Sequence, residues 1–326
     1  MQKCARLLLI SLALIAPVLA QDSASRAPEA SPPAVQAPSP ALPSATPSET
    51  PKAPPIELKP DASGTVPQEQ IRELLRRVAE KDLDNEKRLR DYTYIEREEE
   101  HSLDGHGDVK KVESTTSEVL VVYGEHVERR IAKDDKPLSA DDAKKEEERI
   151  QKIVDKRKNE SEGDRRKRLE KEEKEREDGR KFVKEVADAY YFHLLGSETL
   201  DGHDTWMLDA DPRPDYKPTS KESKFLPKLK GRIWIDKAEM QWVKFDIVTT
   251  DTISFGLFLA RIHKGTRVVV ETTRVNDEVW LPKHVQFHAD IRLALVKNYD
   301  VDVEQTFRDY KKFRTESTFT LVGETQ

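Results

Sequence analysis

The sequence predicts a mainly β protein of the α+β class: one antiparallel sheet with an amphipathic helix before it and a long charged helical insertion within it. Three observations predict this. Apolar residues recur at helical spacing from Ile71 to Leu83, ahead of the strands. Strand-length runs separated by turn residues then fill most of the chain, with alternation clear in Val119, Val121 and Tyr123. Between Ser139 and Lys181 the pattern changes to opposite charges with few apolar residues.

Taken in order, residues 1–20 have a basic start (Lys3, Arg6), an apolar core from Leu7 to about Leu19 and small residues ending at Ala20. This is the pattern of a secretory signal peptide cleaved after about Ala20, so the protein is expected to be exported, to a periplasm or to the medium. The only cysteine, Cys4, precedes the apolar core, so the mature chain has no thiol for disulfides or thiolate metal sites. Removing Lys3 and Arg6 leaves 54 basic residues against 62 acidic, a net charge of −8. A nucleic-acid partner is not expected at that charge, because its footprint would be basic.

Residues 21–63 are about one quarter proline, mixed with Ala and Ser. They cannot bury enough apolar surface to offset their conformational entropy, which predicts a disordered linker. The domain that follows spans residues 64–320. Thr65-Val66-Pro67-Gln68 fits a capping box with proline in the first turn, and Ile71, Leu74, Leu75, Val78, Ala79 and Leu83 form one stripe of a helix running to about Arg90. The strands "DYTYIEREEE", "VKKVESTTSEVLVVYG" and "EHVERRIAK" follow, the first two divided at Asp104-Gly105.

The charged insertion occupies residues 139–190. Glu148/Lys152, Glu170/Lys174 and Glu172/Arg176 sit at the i,i+4 spacing that supports solvated helices. Two helices divide near Glu162-Gly163, with Ser161 or Asp164 as the second cap. The second turns amphipathic through Phe182, Val183, Val186, Ala187 and Tyr190, so its end docks. The pair reads either as an arm for an envelope protein partner or as a solvated insertion.

From Tyr190 the strands resume, with turns at Asp201-Gly202 and Asn276-Asp277 and a short helical piece near residues 220–229. In "EVWLPKHVQFHADIRLAL" the residues Val285, Phe287, Ala289, Ile291, Leu293 and Leu295 alternate with His284, Gln286, His288, Asp290 and Arg292, giving one apolar and one wet face. The run "SFGLFLA" breaks alternation, with Phe255, Leu257, Phe258 and Leu259 almost side by side and Gly256 weakening a plain strand. It reads as a flap at a cavity mouth or as a strand packed on both faces.

No nucleophile elbow, phosphate-binding loop, zinc-protease or dinucleotide fingerprint is present, and the chain is read as a non-enzyme without cofactors. His284 and His288 share a strand face but lie roughly 13 Å apart, too far for one metal ion. The tryptophans Trp206, Trp234, Trp242 and Trp280 lie in strands, where they fill a core or line an apolar cavity.

The phrases "LKGRIWIDKAEMQWVKFDI", "SFGLFLARIHKGTR", "NDEVWLPKHV" and "YKKF" resemble the periplasmic lipoprotein-carrier superfamily of LolA, LolB and RseB, in an uncharacterised exported branch. The resemblance covers roughly residues 66–133 and 191–318. It implies a strongly curved sheet left open as a half-barrel, wrapped over helices around an apolar cavity, with lipid or a lipoprotein acyl chain as partner. The proline-rich leader and the charged insertion depart from that pattern. The binding residues expected on the concave face are Phe255, Leu257, Phe258, Leu259, Trp206, Trp234, Phe245 and Phe287. The alternative function is a non-catalytic scaffold or envelope-stress protein that docks a partner through its charged helices.

Overall fold

The computed structural model describes residues 56–313 apart from 63, 221, 256–259 and 294–296. The expected signal peptide, nearly all of the expected linker, Leu257, Phe258, Leu259 and Leu295 lie outside the described residues.

Helix α1 (Gln68–Leu89) begins after Pro67. The capping box expected there is not formed: the N-cap is Pro67, which makes no side-chain cap bond. Gln68 instead bonds sideways, its amide donating to Phe192 O (2.6 Å) and accepting from Phe192 N (3.1 Å). At its other end Asn85 makes the same two-way bond to the backbone of Trp280.

Strands β1 (Tyr92–Leu103), β2 (Val109–Val122), β3 (Glu125–Lys133) and β4 (Lys136–Pro137) form a meander. Helices α2 (Ala140–Lys158) and α3 (Glu162–Ala189) follow, capped by the Ser139 and Ser161 hydroxyls, which accept from Asp142 N and Asp164 N. Then come β5 (Tyr190–Leu200), β6 (His203–Pro212), a 3-10 helix (Glu222–Lys228), β7 (Leu229–Asp236), β8 (Trp242–Thr249), β9 (Ile253–Phe255), β10 (Ala260–Ile262), β11 (Arg267–Val275), β12 (Val279–Leu293) and β13 (Lys297–Lys312). The hairpin turns expected at Asp201-Gly202 and Asn276-Asp277 carry the positive φ angles that two-residue turns need.

All pairings are antiparallel, in the order β4-β3-β2-β1-β13-β12-β11-β8-β7-β6-β5. The last strand therefore lies beside the first, and β4 and β5 remain as separate edges: among the described residues the sheet is open and unclosed. The short β9–β10 pair leaves this path, β10 taking the edge of β12 at Ile291–Leu293, beyond the stretch of β12 that β11 covers.

Edge strands expose unpaired backbone groups that invite pairing with other chains. Here helix side chains occupy some of them. Gln68 takes Phe192 on β5, while Glu146 of α2 accepts from Arg130 N (2.8 Å) and Arg149 donates to Glu128 O on β3.

The charged insertion is fastened at both ends. Ile150, Ile153 and Val154 of α2 pack on Leu120, Val122 and Val127. Below them the buried Glu125 carboxylate receives Arg157 (2.5 Å) and Arg168 (2.9 Å), and Arg168 also holds Glu160 (2.7 Å). At the far end of α3, Phe182 meets Phe225 with ring centroids 5.9 Å apart. So α3 starts at the β3 side of the sheet and runs directly into β5, the opposite edge.

Candidate ligand-binding face

Residues directly opposite one another in an antiparallel sheet project from the same face. The register then assigns one row across the sheet: Phe192, Ala210, Gly231, Ile247, Val268, Phe287 and Val303. A parallel row runs Leu194, Leu208, Ile233, Phe245, Val270 and Val285. These rows share one buried cluster with Ile71, Leu74, Leu75 and Val78 of α1. Gly231 is required within it, since a Cβ there would meet Asp246 O at 2.6 Å.

The apolar character stops at β1. The row that ends on Val303 continues to Glu100, and the next reaches Gln305 and Glu98, which share a 2.9 Å hydrogen bond. Glu96 lies opposite Phe307. The same face is thus apolar from β5 to β13 and acidic along β1. Tyr94 stands at this border, where burial first, and then the charges of Glu96 and Glu128, push its phenol well above its ordinary pKa.

Of the expected binding residues, Trp206, Phe245 and Phe287 are brought together on the apolar face. Trp206 and Phe245 are buried, while Phe287 is half-buried, as are Ile247 and Tyr299 of the same cluster. Phe255 closes β9 opposite Ala260. Trp234 is a correction. It lies between Ile233 and Ile235 on β7 and so points to the other face. There it packs with Val243 and Trp280, gives its indole N–H to Glu198 (2.7 Å) and lies 5.5 Å from the Lys244 ammonium. Trp280 likewise gives its indole N–H to Glu239 (2.8 Å).

That other face is a ladder of charges. Arg232 meets Asp209 (2.6 Å), Arg267 meets Asp246 (2.7 Å), His288 meets Asp302 (2.8 Å) and His101 meets Glu99 (2.6 Å). Two hollows of about 300 and 440 Å³ lie here, the first lined in part by Glu99, His101, Arg267, His288 and Asp302 and the second in part by Asp209, Arg232, Asp246 and Arg267. No group of three or more potential metal ligands occurs among the described residues.

The residues sequence reasoning missed are polar ones. Glu185 of α3 accepts from the hydroxyls of Tyr216 (2.6 Å), Thr219 (2.6 Å) and Ser220 (3.2 Å) and from Thr219 N (2.7 Å). Burial raises its pKa, but these hydrogen bonds outweigh that and bring it down to about 2. A lone Glu in a charge-saturated helix gave no local signal of this role.

Neither a family model nor a curated protein sequence matches the chain. Solved structures do. A DUF1329 family protein from Desulfovibrio piger is 11% identical over 77% of this chain and 95% of its own, with a TM-score of 0.28. A putative outer membrane lipoprotein-sorting protein domain from Vibrio parahaemolyticus is 13% identical over 75% and 95%, with a TM-score of 0.26. A LolA superfamily protein from Nitrosomonas europaea is 9% identical over 74% and 92%, also at 0.26. At these scores the superposed paths agree only loosely. No helix among the described residues is long and apolar enough to cross a membrane.

Proposed function

We propose that the apolar face holds a hydrophobic ligand, a lipid or the acyl chain of a lipoprotein, with α1 acting as its movable cover. The observation that carries this reading is the shape of the apolar surface. It belongs to an unclosed sheet, and what shares its buried cluster is helices rather than a second sheet. Displacing α1 leaves every ladder hydrogen bond of the sheet intact. The half-buried side chains of Ile247, Phe287 and Tyr299 within the cluster are where a chain would first make contact. Burial contributes about 0.8 kcal/mol per methylene, so a chain of a dozen carbons gains about 10 kcal/mol gross. That is of the same order as the burial of Ile71, Leu74, Leu75 and Val78 that it would replace, at about 1.5–3 kcal/mol each.

Native mass spectrometry with lipid extraction, on protein purified without detergent, tests this. A stoichiometric co-purifying lipid is expected. Protein that is empty and also ignores added fatty acid and phospholipid overturns the reading.

A second reading keeps the sheet as a scaffold and gives the charged helices a protein partner. The firm anchoring of α2 and α3 at Glu125 and at Glu185 favours it, because a rigid pair of helices presents a fixed surface. Loss of a co-purifying protein on deletion of residues 139–181 would support it.

A further inference from the structure

The turn between α2 and α3 is basic in an acidic protein. Residues 155–168 contain seven Lys or Arg against four Asp or Glu, while the whole chain has a net charge of −6. The structure sorts these charges. Arg157 and Arg168 turn inward onto Glu125 and Glu160. Lys156, Lys158, Arg165, Arg166 and Lys167 are exposed, with Arg166 3.9 Å from Glu170. Three of the four acids are engaged locally: Glu160 by Arg168, Asp164 by the Ser161 hydroxyl (2.7 Å) and Asp155 by the Gln151 amide (2.8 Å). Hydrogen bonds from neutral donors leave the charges of Asp155 and Asp164 in place, so with Glu162 the outward surface of this turn carries five cations against three anions, a net positive charge in an acidic protein.

A second observation falls at the same end. The β2–β3 turn carries Tyr123, 53% exposed and held at a φ of 51°. Left-handed backbone is costly for a tyrosine and easy for Asn or Gly. Glu125, two residues on, is the carboxylate that Arg157 and Arg168 grip, so the two turns lie side by side. Nothing in the turn's own geometry calls for an aromatic ring there.

We propose that these two turns form a docking surface for an anionic lipid bilayer. Lysine and arginine are drawn to the phosphates of an anionic leaflet, and a tyrosine ring settles at headgroup depth. Two adjacent chain reversals present their side chains outward, which suits a flat partner. The buried network around Glu125 fixes their orientation, so that docking would also orient the sheet. This surface is separate from the apolar face and stands whether or not that face takes a ligand.

The test is flotation of the full chain with phosphatidylcholine vesicles, with and without about one third phosphatidylglycerol, the wild type and all variants carrying the same leader. Binding to the anionic vesicles alone is expected, falling steeply from about 50 to about 300 mM salt as the charges are screened. The triple variant Arg165→Gln, Arg166→Gln, Lys167→Gln should lose about fivefold in partitioning for each charge removed. Tyr123→Asn, which suits the left-handed turn, should weaken binding severalfold without lowering the melting temperature. Equal binding to neutral vesicles, anionic binding that the triple variant retains, or capture of polyglutamate without vesicle binding would each overturn the proposal.

Discussion

The two faces of the sheet are built by alternate residues of the same strands, yet they are held together differently. On β12, Val285, Phe287, Ala289 and Ile291 join the apolar cluster, while His284 and His288 between them meet Glu304 and Asp302 on the neighbouring strand. The apolar face gains by removing surface from water, and its side chains are close-packed, so each methylene counts. The charged face gains little from each contact, because exposed ion pairs are screened and must order long side chains. Stability therefore sits mainly on the apolar face, and on the other, outside the buried cluster of Trp234, Val243 and Trp280, the ion pairs can vary without unfolding the protein.

The largest effect expected from breaking this contrast is at Trp206. It is 8% exposed within the apolar cluster, so Trp206→Ala removes a large buried ring and leaves a cavity. A loss of about 3–5 kcal/mol is expected by urea denaturation. A loss below about 1 kcal/mol would mean that the face is loosely filled there and already open to a ligand.

A smaller effect separates the helices from the sheet. Glu185 joins α3 to the segment holding Tyr216, Thr219 and Ser220 and has a pKa of about 2, below the usual 4.5. A carboxyl whose pKa is depressed by folding stabilises the protein above its unfolded pKa. That contribution is lost as pH falls from about 4.5 through 2. Glu185→Gln should therefore melt lower than the wild type near neutrality, and the gap should close between pH 5 and 2. A gap that is constant across this range would assign Glu185 a purely steric role.

Much of this contrast is legible in the sequence. The alternation in β12 names both faces residue by residue, Ser161 caps α3, and Asn276-Asp277 turns the chain as its dipeptide suggests. Even the misplaced Trp234 was within reach: once Ile233 and Ile235 are given one face, the residue between them must take the other. What local patterns do not carry is the pairing of β1 with β13. It joins residues 199 to 220 positions apart and sets the acidic border of Glu96, Glu98 and Glu100 beside the apolar rows. Nor does spacing along a helix reveal that Arg157 and Arg168 answer a carboxylate on β3, or that Gln68 serves a strand edge rather than its own helix.

The smallest effect belongs to the charged face and is the sharpest check on the comparison. Arg267 reaches Asp246 with two nitrogens, at 2.7 and 2.5 Å, in the geometry that favours a strong pair. Its side chain is nevertheless 58% exposed, so water and salt compete for both partners. Arg267→Ala should cost less than about 1 kcal/mol, and the difference from wild type should shrink in high salt. The carboxylate left behind remains solvated, unlike a charge stranded in a core. A cost of several kcal/mol that persists in high salt would show that the ladder acts as one cooperative network. The outer face would then share in holding the sheet's shape, and displacing α1 would leave more of the protein intact than the apolar cluster alone implies.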